Sequence, residues 1–158
     1  MRRDLGTLPR TAWRWLLMGG FAVIAALNFP GHLSVDSIMS LTEGRSGVRV
    51  SWGPPMFPAI LGAFDKVFPS TSLYLAASIG LLLVSWSAMA NLRPKTSWIA
   101  PVVLLGALLT PQVLIYQGIV WKDIFFANAS VAGFIALALA DRQEEPRPRW
   151  AGVVLAFL

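Results

Sequence analysis

Apolar and polar positions fall in long separate blocks along this chain. Trp13 to Phe29 is apolar apart from Arg14 and Asn28 near its ends, and Ser72 to Ala90, Trp98 to Tyr116 and Ile124 to Ala140 form three further apolar runs. A helix rises about 1.5 Å per residue, so each run approaches the roughly 30 Å hydrocarbon thickness of a bilayer when its flanks contribute. The pattern predicts four spanning helices, at about 13–29, 72–90, 98–116 and 124–140, the third kinked at Pro111. Trp150 opens a fifth run that ends at Leu158. Those residues cover only about 13 Å, so the chain is expected to be the N-terminal portion of a longer protein.

Between the first two runs lies a different kind of sequence. Pro30 and Gly31 break the first helix, and Val35, Ile38, Met39 and Thr42 then recur at i, i+3, i+4, i+7, with Asp36, Ser37, Ser40 and Glu43 on the opposite face. This spacing predicts a short amphipathic helix on the membrane surface, with Ser34 as its N-cap and Gly44 as its C-terminal stop. The run from Met56 to Phe68 follows Pro54-Pro55 and is interrupted by Pro58, Asp65 and Lys66, so it is placed at the interface instead of across it. The expected fold is all-α: a polytopic transmembrane helical bundle with interfacial amphipathic helices in its first outer loop, forming a single membrane domain over 1–158.

Composition agrees with the pattern. Hydrophobic residues make up 56% and charged residues only 13%, too few charges to cover a soluble domain of this length. The net charge of +5 does not indicate nucleic acid, because the basic residues sit at the ends of apolar runs and not along one stripe. With the N terminus in the cytoplasm, the inner segments carry Arg2, Arg3, Arg10, Arg14, Arg93, Lys95, Arg142, Arg147 and Arg149, and the outer ones Arg45, Arg49, Lys66 and Lys122. The positive-inside rule selects that orientation, and Trp13, Trp98, Trp121 and Trp150 near segment ends fit an aromatic belt. A basic start before an apolar run also describes a signal peptide, but the run is long for one and no A-x-A cleavage site follows, so a retained anchor is expected. The absence of cysteine excludes disulfides and thiolate chemistry, and a single histidine excludes a His-rich metal cage.

This topology sets two carboxylates on one outer face, Asp36 and Asp123, each at the start of a helix. Capping alone accounts for an Asp there. A carboxylate at a membrane surface is equally suited to accept a proton from a hydroxyl, or to hold a divalent cation against a phosphate.

The order of features resembles the N-terminal portion of the GT-C class of polytopic membrane glycosyltransferases, which use polyprenyl-phosphate sugars. The resemblance is carried by Gly31-His32-Leu33-Ser34-Val35-Asp36-Ser37 after the first helix, Trp52-Gly53-Pro54-Pro55-Met56-Phe57-Pro58, and Trp121-Lys122-Asp123. It implies that Asp36 is the catalytic base or a metal ligand, that Asp123 is the second catalytic or metal-binding acid, and that a divalent cation is the only cofactor to expect. It also implies a lipid-linked donor, sugar transfer at the outer face, and residence in the bacterial inner membrane.

Around these, Lys122 could neutralise a donor phosphate or snorkel to the interface, and His32 could act as a base or simply be solvated. Arg45 and Arg49 could contact phosphates, and Trp52 could stack on a sugar or belong to the belt. Glu43 is expected on a solvated face, and Gln112 and Gln117 either line a cavity or bond to neighbouring helices. Two other functions compete. A transporter would place ionisable groups at mid-membrane, where the four expected spans have none. A non-catalytic membrane subunit would not need the polar loop between two spans.

Overall fold

The computed structural model describes residues 7–8, 10–50, 53–89, 92, 96–97 and 99–141. The expected fifth run from Trp150, the basic positions Arg2, Arg3, Arg93, Lys95, Arg142, Arg147 and Arg149, and the site candidate Trp52 lie outside the described residues. The fold is all-α. Its helices are α1 (Arg10–Asn28), α2 (Val35–Ser46), α3 (Met56–Val67), α4 (Ser72–Met89), α5 (Ile99–Leu108), α6 (Pro111–Tyr116) and α7 (Lys122–Ala140). The two-residue segments β1 (Thr7–Leu8) and β2 (Thr96–Ser97) pair antiparallel, Thr7 opposite Ser97.

Two of these helices, α4 and α7, are long and apolar enough to cross a membrane. They pack on each other, and α1 packs on α4 and α5. Helix α1 is apolar over most of its length between Trp15 and Leu27. Trp13, Leu17, Phe21 and Ile24 recur every three or four residues and are buried against Leu75, Ile79, Leu82 and Leu108, while Trp15, Met18, Val23 and Leu27 on its other faces are exposed. On α7, Phe126 and Phe134 are each 65% exposed, and few of its residues are buried. Helices with apolar residues facing outward need either more protein or lipid around them.

The third expected span is divided. α5 has 10 residues and α6 has 6, with the break at Thr110. Thr110 adopts an extended backbone (ψ 140°) and Pro111 opens α6. Proline lacks the N–H of a continuing helix and pushes the residue before it out of the helical region, which produces a break where the sequence suggested only a kink.

The α2–α3 hairpin also differs from expectation. α2 runs past Gly44 to Ser46 and stops at Gly47, whose φ of 72° is left-handed and whose N–H bonds Glu43 O at 2.8 Å. Gly44 has another task. A Cβ there would lie 2.8 Å from Gly62 N and 2.9 Å from Gly62 Cα, so the two glycines let the backbones of α2 and α3 touch. The helix also turns its polar face inward: Ser37, Ser40 and Glu43 are buried, whereas Val35 is 74% exposed and Ile38 and Met39 face outward with it. Glu43 is therefore not on a solvated face. Its Oε1 accepts the Val50 N–H at 2.6 Å, which ties the buried carboxylate to the loop after α2.

Candidate functional site

Helices α2 and α7 begin side by side, and hydrogen bonds between distant segments put them there. The backbone at His32 pairs with the segment before α7: His32 N–H donates to Gly118 O (2.8 Å) and Val120 N–H donates to His32 O (3.0 Å). Ser34 and Ser37 form a reciprocal capping box at the start of α2. The Trp121 indole N–H donates to Ser34 Oγ at 2.7 Å, and Ser37 Oγ donates to Val120 O. From α4, Tyr74 O–H donates to Trp121 O at 2.7 Å. Phe57, Phe64 and Phe125 surround the Tyr74 ring at centroid distances of 5.5–6.3 Å, which holds the tyrosine in place.

A second set of polar contacts anchors the end of α1. Asn28 donates to Ile24 O (2.8 Å) and to Leu114 O (2.9 Å), and His32 Nε2–H donates to Asn28 Oδ1 (3.1 Å). Gly118 must be glycine beside it, because a Cβ would fall 2.7 Å from Asn28 Cβ. Gln117 bonds reciprocally to Asn128, which also donates to Ser78 Oγ at 2.9 Å, so Gln117 joins helices instead of lining a cavity.

These contacts open a cleft of about 410 Å³ lined by Asp36, Met39, Ser40, Gly53, Pro54, Phe57, Trp121, Lys122 and Asp123. Three predicted site residues meet here. Asp36 lies in the first turn of α2, and Lys122 and Asp123 in the first turn of α7. All three side chains are exposed, and Lys122 Nζ lies 3.7 Å from Asp123 Oδ2. The start of α7, which has no side-chain cap, adds partial positive charge to the ammonium, so the cleft sets a cationic end beside two carboxylates.

Two other predicted residues are elsewhere. His32 is exposed and bonded to Asn28, outside the cleft. Arg45 forms a two-pronged pair with Asp65, Nε to Oδ2 at 2.8 Å and Nη2 to Oδ1 at 2.6 Å. That pair raises the Arg45 pKa, chiefly through the hydrogen bond, and lowers that of Asp65 for the same reason. Sequence reasoning did not single out Met39, Ser40 and Phe57 as cleft residues. Ser40 was legible only as a neighbour of Asp36 on one helical face.

Among the described residues, no group of three or more His, Cys, Asp or Glu side chains gathers. Two exposed carboxylates on one cleft suit a hard divalent cation that keeps several waters and shares phosphate oxygens, not one caged by protein alone. Comparison with protein-family models, with curated proteins and with solved structures yields no match to this chain.

Proposed function

We propose that the chain belongs to a polytopic membrane glycosyltransferase of the GT-C type, which moves a sugar from a polyprenyl-phosphate donor to an acceptor at the outer face of a bacterial inner membrane, its N terminus in the cytoplasm. One observation carries the reading: Asp36, Gly53-Pro54 and Trp121-Lys122-Asp123, three separate parts of the sequence resemblance, line one cleft. The outward-facing apolar residues of α1 and α7 support the membrane setting.

In this reading, Asp36 accepts the proton of the acceptor hydroxyl as its oxygen bonds to the anomeric carbon of the sugar. The bond from that carbon to the phosphate oxygen breaks, and polyprenyl phosphate leaves. Lys122 and the start of α7 offset the charge that grows on the leaving phosphate. Asp36 and Asp123 would hold a divalent cation, which when bound supplies further charge neutralisation to that phosphate. Because the donor's tail stays in the bilayer, the interface already concentrates and orients it.

Single cysteines at positions 36 and 123 test the topology, since the chain contains no cysteine of its own. Both should react with a membrane-impermeant maleimide from the outer side. Membranes carrying the protein should also transfer radiolabelled sugar from polyprenyl phosphate, and Asp36→Asn should abolish this. Labelling from opposite sides, or undiminished transfer by Asp36→Asn, would sink the proposal.

A further inference from the structure

A second groove, of about 380 Å³, runs between the C-terminal half of α2, the loop after it and α3. Its floor is made of small residues, Gly44, Ala59, Gly62 and Ala63, which leave a narrow apolar slot. Cations reach it from separate elements: Arg49 from the loop and Lys66 from the last turn of α3. Arg49 donates to Gly53 O at 3.1 Å, which fixes one arm of the guanidinium and leaves the others able to bond. Glu43 also faces the groove, and the Val50 N–H on its Oε1 draws that carboxylate toward the loop. Nearby, Arg45 and Asp65 neutralise each other, so Arg49 and Lys66 set a positive local balance.

Exposed apolar residues adjoin the two cations along the chain. Val48 and Val50 follow α2 and are 62% and 65% exposed, and Val67 and Phe68 end α3 at 78% and 54%. Exposed apolar residues beside two cations fit a bilayer interface, where lysine and arginine meet phosphates while apolar neighbours meet chains.

We infer that this groove binds a phosphate ester carried on an apolar chain, with the phosphate at Arg49 and Lys66 and the start of the chain in the glycine–alanine slot. The inference rests on the membrane reading above and is separate from the cleft at Asp36. Isoprenoid-type phosphates and bilayer phospholipids share this chemistry.

The test uses the protein in phosphatidylcholine nanodiscs and counts bound radiolabelled dodecyl phosphate at equilibrium. Arg49→Gln with Lys66→Gln should remove one equivalent or weaken it at least tenfold. Ala63→Leu, which fills the slot from the exposed side of α3 and keeps both charges, should do the same. Asp36→Asn should leave that equivalent intact while ending sugar transfer, so the two proposals fail separately. Loss of labelled binding in phosphatidylglycerol nanodiscs would assign the site to a bilayer lipid, and retention to a single-chain phosphate. A full count of bound probe in the double variant overturns the inference. Displacement by inorganic phosphate at the same concentrations as unlabelled dodecyl phosphate also does so, because the slot would then contribute nothing.

Discussion

The indole of Trp121 donates a 2.7 Å hydrogen bond to the hydroxyl of Ser34, joining the residue that precedes α7 to the residue that caps α2 across 87 positions of sequence. Replacing Trp121 by Phe keeps an aromatic ring and removes the donor. The expected loss is about 1 kcal/mol, the usual net worth of one such bond. Thermal unfolding in detergent measures it; Ser34→Ala should cost more, because it also removes the cap of α2, and the double variant should fall short of the sum of the two by the worth of the shared bond.

Asp36 and Lys122 are expected to fail in different ways in a transfer assay. On the proposed reading, in which Asp36 is the general base, Asp36→Asn should lower kcat by about 10²–10⁴-fold. Lys122→Gln should weaken donor use and leave a residual rate, because the helix start remains beside the phosphate. Equal losses of kcat in both variants, with KM unchanged, would contradict this division of roles.

Glycine positions separate contact from open space. Gly62→Ala sets a Cβ against Gly44 backbone at 2.8–2.9 Å, where no flexible side chain can give way, and should cost about 3 kcal/mol. Gly80→Ala in α4 meets nothing within 4 Å and should be stabilising by up to about 1 kcal/mol through helix propensity. Paired unfolding curves for the two variants check the contrast.

The Arg45–Asp65 pair predicts a pH dependence. The folded pKa of Asp65 is lowered by the hydrogen bond from Arg45, so the pair's contribution is complete above the ordinary carboxylate pKa of about 3.9. It is lost as pH falls through the lower folded value. The stability of wild type and Asp65→Asn should therefore differ at neutral pH and converge in acid. A constant gap across that window would argue against the pair.

Asn128 holds Gln117 and Ser78 together between helices that pack closely. Asn128→Leu should cost about 1 kcal/mol, as for interhelical polar contacts in apolar surroundings, and Gln117→Leu should cost less in its absence than in its presence.

The helical periods are legible in the sequence itself. The spacing of Val35, Ile38 and Met39 correctly places them on one face of α2. What the spacing could not give is the direction of that face, because an amphipathic helix packs its polar side inward when serines find backbone partners and its other side can meet lipid. Gly44 reads as a stop because glycine commonly ends helices, whereas its use in the fold depends on Gly62, eighteen positions away. Pro111 was seen, but a kink and a break differ only in whether Thr110 leaves the helical region. The meeting of Asp36 with Asp123 was anticipated only as a shared membrane face. The bonds that bring their helix starts together run from His32 to Gly118 and from Ser34 to Trp121, and local sequence carries no sign of them.

The parallel backbone pairing of His32 with the residues around Ile119 has a consequence for how this architecture holds together. The two acidic helix starts are held by a clasp in which main-chain bonds at His32 and side-chain bonds from Trp121, Ser37 and Tyr74 act together, so residues 28–37 and 118–121 form one joint although more than eighty positions separate them in the chain.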